Sequence, residues 1–377
     1  FLRKSLKLRT ELKNNTEMSD TLFYLIIVSL DMENLDQAQM YLEQLKSCDT
    51  REKNKLINQR YRLANALVLK TSKRAKNIGK AQELLEQIAN EEIVQHRLTV
   101  IALLNLFELL LQELQSSGEE EILEETKTIA KKLLVIAKEQ HSFSLLAETY
   151  WLQAQLALVE LDLKKARSLL NEAQLLADEN GLDRLAQKIS SEYDTLLDHL
   201  NQWDELIEKD ASLTERVKVA RLEELVTTMR YDKEIEIQDE IDEEPVQLMI
   251  LQEKSGIPLF SQSFKPEFDV DNLLMGGLLT AVRSFTNELF SQSLDRLRIG
   301  EYTVIITPVS SSMICYVFKG SSYSAQHKVI EFTEGIQSSS ALQNMLKSTD
   351  ESLIVDTKAF EETLMETSLL NIFTNKI

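Results

Sequence analysis

Through the first 231 positions, apolar residues recur three and four apart, the spacing of one face of an α-helix. Two segments align without gaps: 29–46 (SLDMENLDQAQMYLEQLK) and 157–174 (ALVELDLKKARSLLNEAQ). In both, a short acidic turn leads to a leucine, and an alanine follows three residues on. A large apolar residue comes four after that (Leu42, Leu170), and another small or apolar residue three further (Leu45, Ala173). Residues 78–89 are a third copy with Ala81, Leu85 and Ile88, and 121–139 a weaker fourth. The reference alanines Ala38 and Ala81 lie 43 residues apart, and Ala166 lies 85 beyond Ala81. The repeat is therefore near 42, and each unit is predicted to be a helix pair that buries its apolar face on its neighbours.

After residue 244 the pattern changes. Segment 246–252 (VQLMILQ) is apolar on both alternating faces, with Val246, Leu248 and Ile250 on one and Met249 and Leu251 on the other; 313–318 (MICYVF) behaves alike. Strands apolar on both faces belong inside a sheet covered on both sides. A turn at 254–258 returns into 259–264 as a hairpin. Asp269 or Asp271 then caps a helix running to about Gln292. Strands at 294–299, 302–307 and 313–318 follow, then helices at about 322–346 and 358–372. The expected order is β-β-α-β-β-β-α-α.

Composition supports the division. All four prolines (Pro245, Pro258, Pro266, Pro308) and six of nine glycines lie after residue 244, and both residues interrupt helices. The expected organisation is a helical-repeat region at 1–231, an acidic linker at 232–244 and an α/β domain at 245–377. The linker holds eight acids and one lysine of a chain whose net charge is -19. It reads as a solvated connection, with recognition of a basic partner or an added edge strand through Ile235, Ile237 and Ile241 as the sharper alternatives. An acidic chain without a basic block repels phosphate backbones, so nucleic acid is not an expected partner. Cys48 and Cys315 fall in different regions, which excludes a disulfide framework and favours a cytoplasmic setting. The longest apolar run, Leu22–Val28, is short of a membrane span, and no integral membrane segment is expected. No signal-peptide pattern is visible, and Phe1 in place of Met suggests a chain that starts inside a longer one.

Chemistry is sparse. The chain has no GxxxxGK[ST] phosphate loop, no GxGxxG after a strand and no GxSxG elbow. Gly276 and Gly277 lie inside a helix and are read as packing residues. His327 and Glu331 share a helical face, but two ligands do not make a metal site. No enzyme activity, cofactor or metal is expected.

The small–large–small helix pattern, with Tyr150, Ala154 and Ala157 before Ala166, Leu170 and Ala173, resembles the tetratricopeptide repeat. The period is longer than that family's 34, and the closing proline is absent. The resemblance implies a solenoid with a concave, protein-binding surface. Tyr150 and Trp151 are candidates to line it, against packing roles for both. The β-β-α-β-β-β-α-α order and the phrase 249–264 (MILQEKSGIPLFSQSF) resemble the longin and roadblock-like domains. That resemblance implies a five-stranded antiparallel sheet flanked by helices, dimerisation, and binding of small Ras-like GTPases. In the helix at 270–292, Leu274, Leu278, Ala281, Val282, Phe285 and Leu289 share one face, and Met275, Leu279 and Phe290 widen the apolar arc. One sheet needs an arc of about 100°. Met275, Leu279 and Phe290 are therefore candidate partner contacts, against burial by the domain's own helices. The leading expectation is a non-catalytic scaffold or adaptor whose C-terminal domain dimerises or binds a small GTPase. The alternatives are a regulator or nucleotide-exchange factor of such a GTPase, and a ligand-sensing signal-transduction regulator.

Overall fold

The structure, a computed structural model, describes residues 2–12, 14–72, 74–231, 243–253, 255–266, 271–290, 296–348 and 357–374; the side chains of 230, 231, 282–290 and 348 lie outside the description. Thirteen helices come first among the described residues: α1 (Leu2–Glu11), α2 (Asn15–Asp31), α3 (Leu35–Glu52), α4 (Lys55–Lys70), α5 (Ala75–Asn90), α6 (His96–Ser117), α7 (Glu120–Glu139), α8 (Phe143–Val159), α9 (Leu163–Glu179), α10 (Asp183–Asp198), α11 (Leu200–Glu208), α12 (Leu213–Val219) and α13 (Leu222–Tyr231). Then follow β1 (Glu244–Gln252), β2 (Pro258–Ser263), α14 (Asn272–Phe290), β3 (Arg296–Ile299), β4 (Tyr302–Val309), β5 (Ser312–Lys319), α15 (Ser322–Ser338), α16 (Ser340–Ser348), α17 (Thr357–Met365) and α18 (Asn371–Thr374). The element order after residue 244 matches the expectation through β5, and each of the two expected C-terminal helices is split, into α15 and α16 and into α17 and α18.

The chain divides into two compact units, Phe1–Asn180 with Leu206–Glu234, and Gly181–Glu205 with Ile235–Ile377. In the first, consecutive helices pack as hairpins, α2 on α3, α4 on α5, α6 on α7 and α8 on α9, and alternate helices α2, α4 and α6 also touch. The turns explain how so few glycines suffice. Glu33, His141 and Leu161 adopt left-handed conformations with φ of 56, 50 and 61°. The next amide in each turn reaches back to a helix carbonyl: Asn34 N–H to Ser29 (2.8 Å), Ser142 N–H to Ala137 (3.0 Å) and Asp162 N–H to Ala157 (2.9 Å). This is the Schellman closure that glycine usually makes. Two of these residues then start the following helix, since Asn34 Oδ1 accepts from Gln37 N–H at 3.1 Å and Asp162 Oδ1 from Lys165 N–H at 3.0 Å.

The repeat alanines Ala38, Ala81 and Ala166 are fully buried, as are Leu45, Leu85, Ile88 and Ala173. In the weaker copy Thr126, Ala130 and Leu133 are also buried at the same spacing; here the small and large positions are exchanged. Helix α6 is apolar nearly all round because α4, α5, α7, α12 and α13 all pack on it. Among the described residues it is the one helix long and apolar enough to cross a membrane, and most of its surface is buried.

In the second unit the five strands form an antiparallel sheet in the order β2-β1-β5-β4-β3. Leu248, Ile250, Ile314, Tyr316 and Phe318 pack one face against Phe332, Ile336, Leu342, Phe360 and Phe373 of α15–α18. Val246, Met249, Leu251, Val304, Ile306, Cys315 and Val317 line the other face with Leu279 of α14. Val246 thus faces away from Leu248 and Ile250, contrary to the simple alternation, beside a register shift at Pro245–Gln247. Both central strands are thus covered on both sides, as their continuous apolar pattern requires. Asp271 caps α14, accepting from Leu273 N–H at 2.8 Å.

Helix α10 belongs to this second unit and packs on α15 and β3, although its sequence pattern had grouped it with the repeats. Its Asp194 and Asp198, one turn apart, meet alternate residues of β3: Asp194 pairs with the buried Arg296 at 2.7 Å and Asp198 with Arg298 at 2.9 Å. Asp194 also accepts from Ser322 Oγ at 2.6 Å and from Ser322 N–H at 3.3 Å, placing a carboxylate at the start of α15. The Arg296 guanidinium lies 4.5 Å from the Tyr193 ring centre. Elsewhere, Glu243 pairs with Lys328 at 2.5 Å and accepts a hydrogen bond from Tyr316.

Candidate interaction sites

Helix α14 carries apolar side chains on two sides. Leu279 is fully buried in the sheet core and Met275 half-buried beside it. Leu273, Leu274 and Leu278 point the other way, at 64, 73 and 55% exposure. Two glycines fix this orientation. A Cβ on Gly276 would stand 2.2 Å from the carbonyl oxygen of Gly256, in the β1–β2 turn, and Gly256 itself has a φ of 70°. That side of α14 must therefore lie on the hairpin. A Cβ on Gly277 would meet nothing within 4 Å. Of the three partner contacts expected on this helix, Leu279 and Met275 face the sheet, and the Phe290 side chain lies outside the described residues. The exposed row is Leu273, Leu274 and Leu278.

Trp151 is buried at 4% exposure. With the Gln155 amide oriented to satisfy its surroundings, Trp151 Nε1–H donates to Gln155 Oε1 at 3.2 Å and Gln155 Nε2 donates to the Ala220 carbonyl at 2.7 Å. This joins α8 to the segment between α12 and α13. Tyr150 is half-buried, and its hydroxyl pKa is raised by burial and by the Glu172 carboxylate. The structure thus places Trp151 in the packing of the first unit and Tyr150 at its margin.

A cavity of about 310 Å³ opens instead on the side of α2, α4 and α6. Ile27, Leu30, Leu67 and Ile101 form aliphatic walls, and Asp31, Lys70, Asn105, Glu108 and Gln112 supply polar groups. Lys70 Nζ donates to Glu108 Oε2 at 2.5 Å and to Asn105 Oδ1 at 2.8 Å. Asn105 is held in turn, since its Nδ2 donates to the Ile101 carbonyl at 2.8 Å. The volume sits at the low end of small-ligand pockets, about 300–1,000 Å³, and suits one or two side chains. The sequence does carry a signal for this site: Asp31, Lys70 and Glu108 recur roughly one repeat apart on alternate helices. Core alanines drew attention to the buried seam, and these charges lie off it.

Among the described residues no group of three or more His, Cys, Asp or Glu is placed to hold a metal ion. Cys48 and Cys315 are both buried thiols, and burial raises the Cys48 pKa. No protein-family model, curated protein or solved structure matches the chain.

Proposed function

We propose that the chain is a non-catalytic adaptor in which tetratricopeptide-like repeats are joined to a longin/roadblock-like domain, and that the outer face of α14 docks a protein. The β-β-α-β-β-β order of a five-stranded antiparallel sheet, followed by C-terminal helices, supports the domain reading. The stacked helix hairpins and their repeating buried alanines support the repeat reading. One observation carries the docking role: Leu273, Leu274 and Leu278 stand exposed within six residues of one helix whose opposite side already closes the core. Adjacent exposed leucines mark a surface meant to be covered. The resemblance names the two occupants, a small Ras-like GTPase or a second copy of the chain. The test uses the full chain, because α10 is part of the sheet unit and a bait starting at residue 245 would leave Arg296 without Asp194. Light scattering reports the second copy. Affinity capture with GDP or a non-hydrolysable GTP analogue reports the GTPase. A monomer that retains no GTPase in either nucleotide state contradicts the reading.

A further inference from the structure

From the α2–α4–α6 cavity we infer that the helical unit binds a protein segment that presents an arginine or lysine next to a large aliphatic side chain. The inference rests on the adaptor reading and names what the repeats would hold. Three observations carry it. First, the walls Ile27, Leu30, Leu67 and Ile101 are only half-buried, so they offer aliphatic surface to an incoming side chain. Second, two carboxylates, Asp31 and Glu108, share the cavity with one ammonium, Lys70. That ammonium is already engaged by Glu108 and by Asn105, so an incoming carboxylate would have to displace Glu108 to reach it. Asp31 is exposed at the rim, and among the described residues its carboxylate meets no hydrogen-bond or ion-pair partner. Third, Asp31 ends α2, whose last turn contains no basic residue. The carbonyl end of a helix carries partial negative charge and favours a cation there; α2 places an acid at that spot instead. A guanidinium or ammonium on a partner segment would meet the Asp31 carboxylate while its neighbour fills the aliphatic walls.

The test is selection of a randomised peptide display library on the full chain, followed by affinities of the enriched peptides and of their Arg→Gln or Lys→Gln counterparts. Expected is enrichment of arginine or lysine beside leucine, isoleucine or methionine, with about tenfold weaker binding when the cation is replaced. Asp31→Lys should remove that preference while the thermal midpoint is unchanged or raised, because a cation suits the end of α2. Leu67→Asp should abolish binding. If enriched peptides are acidic or uncharged and yet depend on Leu67, the cavity is a docking site and the charge assignment is overturned. If no enriched peptide depends on Leu67 or Asp31, the inference is overturned altogether, without bearing on the α14 surface.

Discussion

Two adjacent glycines in α14 show how much a single hydrogen can decide. Gly276 faces the Gly256 carbonyl, and an added methyl would press on backbone that has no room to yield. Gly276→Ala should therefore destabilise by about 1–3 kcal/mol, the cost of overpacking. Gly277 faces open space in the same helix, so Gly277→Ala should stabilise by about 0.5–1 kcal/mol through helix propensity. Chemical denaturation of the two variants checks the opposite signs. Leu161 is the converse case, a branched residue held at a φ of 61°. Leu161→Gly should raise stability by about 1 kcal/mol, because the left-handed conformation costs roughly that much for a residue with a Cβ; an unchanged midpoint would place the compensation in side-chain packing. Sequence reasoning saw the two glycines as packing residues but could not separate them, because both sit in one apolar helix and only the partner backbone distinguishes them.

Element by element, the ends of the helices were more legible than their partners. The acidic turns before Ala38 and Ala166 announced helix starts, and Asn34 and Asp162 do cap them. The Ser212–Glu215 capping box at α12 lends itself to a pH test. Hydrogen bonds from the Ser212 amide and hydroxyl to the Glu215 carboxylate lower its pKa. A pKa depressed on folding means stabilisation that is present above the ordinary glutamate value, about 4.3, and is lost as pH falls through and below it. Hydrogen-exchange protection at the start of α12, corrected for intrinsic rate, should fall over that window; Ser212→Ala, which keeps the backbone N–H to Glu215, should weaken the dependence and cost about 1 kcal/mol. Which body a helix packs on is harder to read. The amphipathic pattern of α10 says that one face is buried and says nothing about what covers it. Asp194 and Asp198 at helical spacing match Arg296 and Arg298 at strand spacing. These residues are about a hundred positions apart. Asp194→Ala leaves a buried guanidinium without its carboxylate and should cost about 3–5 kcal/mol. Asp198→Ala, at a more exposed pair, should cost less than about 1 kcal/mol. Equal effects would mean that the Arg296 contact is not what holds α10 in the sheet unit.

For the whole molecule, proline and glycine marked the change of architecture near residue 244, and patterns apolar on both faces marked β1 and β5 as interior strands. Composition could not reveal that residues 181–205 fold with the sheet, because a helix has the same composition in either setting. The α14 surface was half legible. Its apolar arc was too wide for one sheet, but the sheet face proved to be Met275 and Leu279, and the outward face Leu273, Leu274 and Leu278. Leu279→Asp would bury a charge in the core and report on folding, at a cost of several kcal/mol. The central claim, that the outward leucines dock a protein, is tested most directly by the Leu274→Asp, Leu278→Asp double variant of the full chain. Its thermal midpoint and its captured partner, or its self-association by light scattering, would be compared with those of the wild type. The account predicts an unchanged midpoint and loss of the partner or the dimer. Retention of the same partner and the same mass by a folded double variant would contradict it.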